Sequence, residues 1–177
     1  MQMALRHPER VSALVLVSTS FADKPMSLPP RFVIRTIAGS DSIFWTLTHP
    51  FRSLMERMFV PATYARTPEE DAEVAEIMGT ILPMRPRTQG FVFDMYVTNT
   101  DLHRDPSQYP LEDLAVPVLM VNAKDDPSVP YEDALASSQR IPGVRLVTVE
   151  VGGHLMLGSE GRVAAEIHRF LEKGTLE

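Results

Sequence analysis

About three parallel strands, with a long helical insertion between the first two, are what this chain is expected to form, and three observations point to that α/β arrangement. Val118-Leu119-Met120-Val121 and Leu146-Val147-Thr148-Val149 are brief, rich in β-branched residues and bounded by turn signals, so each reads as a buried strand. Between them, Tyr131 to Arg140 is long enough for a crossover helix, which makes the two a βαβ unit with parallel strands. Far upstream, Val11 to Val17 (VSALVLV) is a near-continuous apolar run that suits a parallel strand covered on both faces.

Taken in order, Met1 to His7 reads as the last turns of a helix. Met1, Met3, Ala4 and Leu5 are good helix formers, Arg6 and His7 suit the negative end of the dipole, and Pro8 stops it. No capping residue precedes this helix, so the chain reads as opening in mid-element. Ser18-Thr19-Ser20 then ends the Val11–Val17 strand. From residue 21 to 110 prolines punctuate helical segments in which Phe32, Ile34 and Ile37, then Leu54, Met55, Met58 and Phe59, recur at three and four residue steps. Thr67-Pro68-Glu69-Glu70 is a helix start, with Thr67 as N-cap, Pro68 at the first helical position and Glu in the first turn. A third helix, roughly Arg87 to Thr98, is expected to carry Phe91, Met95 and Val92 on one side. Residues 111–177 hold the remaining two strands and a last helix, Glu160 to Leu171, with Val163, Ile167, Phe170 and Leu171 on the stripe expected to face the sheet. The expected division is therefore 1–20 as helix end and strand, 21–110 as helical insertion, and 111–177 as the rest of the core.

Composition narrows the function classes. At 177 residues, 44% hydrophobic and 23% charged, the chain reads as one globular domain. A net charge of -6 with no basic cluster argues against a nucleic-acid partner. The absence of cysteine removes disulfides, thiolate metal sites and a thiol nucleophile. The start, MQMALRHPER, lacks the apolar core of a signal peptide, and no stretch approaches the ~18 apolar residues of a membrane span. The expectation is a soluble, cytoplasmic protein with no membrane partner.

Two groups stand out as chemistry. Functional groups in open parallel sheets collect beyond the carboxyl ends of the strands, and Asp126 (in NAKDDPSVP) and His154 (in VEVGGHLML) both lie there. Neighbouring strands run ~4.8 Å apart, so their side chains can meet. A carboxylate at that place accepts a hydrogen bond from one imidazole nitrogen, fixes the tautomer, and leaves the other nitrogen as general base. Asp125 is the competing acid, although one of an adjacent pair is normally a solvated turn residue. A nucleophilic Ser in a G-x-S-x-G elbow does not occur: Gly39-Ser40-Asp41-Ser42 and Gly158-Ser159-Glu160-Gly161 lack the spacing and follow no strand pattern. His7, His49, His103 and His168 show no metal-ligand spacing, so neither a metal nor a cofactor is expected. The Met- and Phe-rich insertion would cover the site as an apolar pocket, with Phe44 and Trp45 as candidate lining, or would pack only on itself.

These segments resemble the α/β-hydrolase superfamily. ALRHPERVSALVLVSTS is similar to the helix after the nucleophile and the sixth strand, and VPVLMVNAKDDPSVP to the seventh strand with its acid turn. IPGVRLVTVEVGGHLML is similar to the eighth strand and histidine loop, and the insertion resembles the variable lid. The resemblance implies that Asp126 is the acid and His154 the general base, with Asp23, in the loop after the sixth strand, as an outside candidate for the acid. Ala123 stands where the family often has Gly, which alters turn freedom and not chemistry. It also implies a partial fold: about five strands, the oxyanion loop and the nucleophile Ser would precede Met1. The expected function is then a serine-type hydrolase of an ester or lactone-like small-molecule substrate, represented by its C-terminal part and inactive alone. The alternative is a non-catalytic truncated fragment that self-associates as a homodimer through the exposed Val11–Val17 edge.

Overall fold

In the computed structural model, residues 1–19, 21, 28–98 and 105–174 are described. Asp23 and His103, both singled out above, lie outside them. The chain divides into two compact units, one formed by Met1–Ala22, Met58–Tyr64 and Pro106–Glu177, the other by Asp23–Arg57 and Ala65–Asp105. We call them the sheet unit and the helical unit. Residues 58–64, which sequence periodicity groups with the helical insertion, fold with the sheet.

The sheet unit contains α1 (Gln2–Arg6), β1 (Leu14–Val17), β2 (Val118–Ala123), α7 (Tyr131–Arg140), β3 (Arg145–Val149) and α8 (Glu160–Gly174). The strands are parallel in the order β1-β2-β3, with Leu14 opposite Val118 and Leu119 opposite Arg145. Every residue of β2 is buried because it is the central strand and alternate side chains enter two different cores. Val118 and Met120 join Ala4, Leu16, Ala134 and Ile141 beneath α1 and α7. Leu119, Val121 and Ala123 join Val147, Val149 and Val163 beneath α8. The three parallel strands expected from the sequence are thus what the backbone adopts.

Two boundaries differ from the sequence reading. The first strand begins at Leu14 and not Val11, because Pro8–Arg10 forms a 3-10 turn whose carbonyl at Pro8 takes the Val11 N–H at 3.1 Å. Pairing starts only where the Leu14 N–H reaches Pro117 at 2.9 Å. In α8, Val163, Ile167 and Phe170 face the sheet, whereas Leu171 is 45% exposed. One step past Phe170 rotates the helix by about 100° and carries Leu171 off the stripe.

The helical unit contains α2 (Arg31–Ala38), α3 (Asp41–Thr48), α4 (Arg52–Glu56), α5 (Pro68–Gly79) and α6 (Thr88–Phe93), the last running into a wide turn over Asp94–Thr98. Ala38, Phe44 and Met84 form its small core. Polar contacts fix the connections. Asp41 Oδ1 accepts the backbone N–H groups of Met84 and Arg85 at 2.6 and 2.8 Å, and Thr88 donates to the Ala38 carbonyl at 2.6 Å. At the start of α5, Thr67 and Glu70 satisfy each other's backbone N–H in a capping box, as the Thr-Pro-Glu-Glu pattern predicts. In α6 the residue turned inward is Val92, while Phe91 is 36% exposed. Glu56 holds Arg52 at 2.7 Å and Arg66 at 3.0 Å. Burial alone would raise the Glu56 pKa, but the hydrogen bonds from Arg52 and Arg66 outweigh it and leave the carboxyl below its ordinary range. Among the described residues no helix is long and apolar enough to cross a membrane.

Candidate active site

The turn after β2 and the loop after β3 lie side by side because their strands pair up to Ala123 opposite Val149, and the Lys124 N–H continues the ladder to Val149 at 2.9 Å. Asp126 is buried at the tip of the first. Its Oδ1 accepts the backbone N–H groups of Ser128 and Val129 at 2.8 and 3.0 Å, and its Oδ2 lies 2.9 Å from His154 Nδ1. Pro127 and Pro130 bracket this turn, and Pro130 is the residue from which α7 starts. With Oδ1 held by two amides, the carboxylate cannot rotate without losing them, so Oδ2 is aimed at the ring. An ionised Asp126 makes Nδ1 the protonated nitrogen and leaves Nε2 as the acceptor. The imidazole is 28% exposed, and Nε2 has no hydrogen-bond partner among the described residues.

The backbone carrying His154 is held from three sides. Asp125, an alternative acid in the sequence, instead clamps the histidine loop: its two oxygens accept the N–H groups of Gly152 and Gly153 at 3.0 and 2.9 Å. The His154 N–H donates to the Phe59 carbonyl at 2.7 Å, and the Phe59 ring sits 5.8 Å from the imidazole, tilted by 55°. Ser18, at the end of β1 with φ +49°, donates from Oγ to the His154 carbonyl at 2.8 Å. Gly153 has φ +65°, and a Cβ there would stand 2.4 Å from the Phe59 carbonyl oxygen, so only glycine lets the two segments approach.

Sequence reasoning places Asp126 and His154 within reach of each other, and the structure brings them together. It gives Asp125 only as a competing acid, and it misses Ser18 and Phe59. The Gly152-Gly153 pair was the available signal for Asp125, since two bare amides beside a strand end need acceptors. Phe59 carried no signal, because its spacing matches a helical stripe. Of the other candidates, Phe44 lies in the core of the helical unit. Trp45 stacks on His49 at 4.5 Å and 16° beside a cavity of about 170 Å³ that Met55, Met78 and Ile81 also line. His7 and His168 are surface residues near Glu9 and Glu172.

Comparison with known proteins bears on the fold. By fold the chain matches part of an α/β-hydrolase. The family described as TAP-like protein matches residues 96–177, the stretch that includes both Asp126 and His154. Among solved structures, the enol-lactonase from Burkholderia xenovorans LB400 superposes with a TM-score of 0.66 at 16% identity, over 96% of this chain and 60% of that one. A thermophilic esterase from Thermogutta terrifontis gives a TM-score of 0.65 at 22% identity, over 97% of this chain and 59% of that one. An α/β-hydrolase enzyme from a Medee basin deep-sea metagenome library gives 0.63 at 16% identity, over 97% and 60%. The chain therefore spans about 60% of the length of the solved structures it matches. No curated protein matches the sequence.

Proposed function

We propose that these residues supply the acid and base of a serine-type hydrolase acting on an ester or lactone of a small molecule, with Asp126 orienting His154. The observation that carries this reading is the 2.9 Å contact from Asp126 Oδ2 to His154 Nδ1, made by a carboxylate whose other oxygen is fixed by two amides. Nε2 takes the proton of a serine hydroxyl as its oxygen attacks the carbonyl carbon, and returns it to the leaving alkoxide oxygen. Asp126 stays ionised and stabilises the imidazolium between the two transfers. Water then repeats the exchange on the acyl-serine and releases the acid. The sequence contains no G-x-S-x-G, so this reading takes the serine and the oxyanion donors from residues outside the 177. The ester- and lactone-cleaving neighbours by fold support the bond class, and the helical unit serves as lid.

The test begins upstream of the Met1 codon, where the in-frame translation should encode a G-x-S-x-G within a few residues. In the protein extended to include it, a fluorophosphonate probe should label that serine. His154→Ala should abolish both the labelling and p-nitrophenyl ester turnover while the circular dichroism spectrum is kept. Retained turnover would remove His154 from its role, and labelling of a serine within the 177 residues would overturn the assignment of the nucleophile.

A second reading is favoured by one feature. Among the described residues β1 pairs with β2 on one side only, and Val17 is 42% exposed at its end. An edge strand of this kind can pair with its copy in a symmetric dimer without any catalysis. Sedimentation of the 177-residue chain distinguishes the two: a stable dimer that no fluorophosphonate labels supports the second reading, and a monomer removes it.

A further inference from the structure

A concavity of about 500 Å³ in the helical unit is lined by three arginines that come from two elements. Arg31 and Arg35 stand one turn apart on α2, and Arg85 joins them from the 3-10 turn ahead of α6. Gln89 and the buried Val92 line it as well. Like charges one turn apart on a helix repel, and a third guanidinium in the same hollow adds to that repulsion.

Carboxylates to relieve it are not scarce, since the chain carries 23 acidic against 17 basic side chains. Elsewhere they are used: Arg52 and Arg66 share Glu56, Arg140 takes Glu112, and Arg145 and Arg169 take Glu166. Asp41 is close to Arg85 in space, and its Oδ1 accepts two backbone amides and not a guanidinium. The side chains of Arg31, Arg35, Arg85 and Gln89 make no ion pair or hydrogen bond among the described residues. Three arginines without an ion pair among the described residues, lining one hollow of an acidic chain, are a charge pattern that an anion completes.

We propose that this concavity binds a small dianion whose oxygens are received by Arg31, Arg35 and Arg85, with the Gln89 amide donating a further hydrogen bond. The planar guanidinium fork matches the oxygen pairs of both carboxylate and phosphate, so dicarboxylates and phosphate monoesters share the chemistry that would be recognised. Val92 gives the apolar remainder of such a molecule a surface to rest on. The site lies wholly within the helical unit and does not depend on the Asp126–His154 relay, so either reading can fail without the other.

Calorimetric titration of the 177-residue chain at fixed ionic strength tests it, with inorganic phosphate in one arm and succinate in the other. Saturable binding in the low-millimolar range or tighter is expected in at least one arm, and the arm that binds identifies the source. R35Q/R85Q should weaken that binding tenfold or more with the circular dichroism spectrum unchanged. R35K/R85K, which keeps the charge and loses the fork, should fall between the two, and it decides the matter if the Gln variant loses its fold. Arg57→Gln, an exposed arginine outside the concavity, should leave the affinity as it was. No saturable heat in either arm, an affinity unchanged in R35Q/R85Q, or an equal loss in Arg57→Gln would overturn the proposal.

Discussion

In the sheet unit all of β2 is buried from Val118 to Ala123, whereas in the helical unit Phe32, Phe51 and Leu54 are 71%, 59% and 61% exposed. Both segments are apolar in sequence, so composition does not set the difference. A central strand buries both of its faces when helices lie on each side of the sheet. The helices α2, α3 and α4 are one to two turns long, and each buries only the stripe that meets a neighbour. Order in the sheet unit therefore comes from the strand ladder and two apolar layers. Order in the helical unit leans on local polar ties such as the Thr67 capping box, the Asp41 acceptor and the Glu56 bridge. Asp126 and His154 sit where backbone amides and carboxylates tie two loops together, which is what holding a fixed geometry demands.

The sharpest way to probe that contrast is through the relay itself. In a chain that also supplies the nucleophile, Asp126→Asn should lower kcat by about 10⁴-fold while leaving KM little changed, because it spoils the tautomer of His154 and not substrate contact. Next comes burial. Leu119→Ala should destabilise by ~2–5 kcal/mol through an unfilled cavity, and Phe32→Ala by less than ~0.5 kcal/mol as a surface change. Comparable shifts in the urea midpoint for the two would erase the distinction between the units. Asp125→Ala should cost about 1–3 kcal/mol by leaving two loop amides without their acceptor, and should reduce kcat through a loosened His154; an unchanged kcat would confine Asp125 to stability.

The smallest effect concerns acid. Glu56 has its pKa lowered in the folded chain, the hydrogen bonds from Arg52 and Arg66 exceeding the opposing effect of burial. Its stabilisation is complete above the ordinary glutamate range near about 4.3 and is lost as pH falls through the folded value. Glu56→Gln should therefore be less stable than the parent by about 1 kcal/mol at neutral pH. That gap in urea midpoint should close on acidification; a gap that widened would reverse the assignment.

The strands were legible in sequence because β-branched apolar runs with turn signals at both ends leave few alternatives, and the positions of Asp126 and His154 followed from strand polarity. Val11 was read into the first strand because periodicity cannot see that the turn after Pro8 claims its N–H. Phe59 was misgrouped since a helical stripe and a single inward-facing aromatic give the same spacing. Asp125 reads in sequence as a competing acid or a solvated turn residue and not as a clamp, because its partners are backbone amides about 27 positions away, which side-chain chemistry does not reveal. Arg85 lies about fifty residues of chain beyond Arg31 and Arg35 and shares their concavity only once α2 and the turn before α6 are placed.

Asp125 and Asp126 are consecutive, yet one secures the spine of the histidine loop and the other its ring. A single residue inserted between Ala123 and Asp125 would therefore carry Asp125 to the ring and Asp126 past it, and a deletion would carry Asp126 to the loop amides and leave the ring without its carboxylate. Sequence drift can lengthen the surface connections of the helical unit step by step. At this dipeptide it has no intermediate step, so the spacing from Ala123 to Asp126 is as much a part of what holds His154 as the carboxylates themselves.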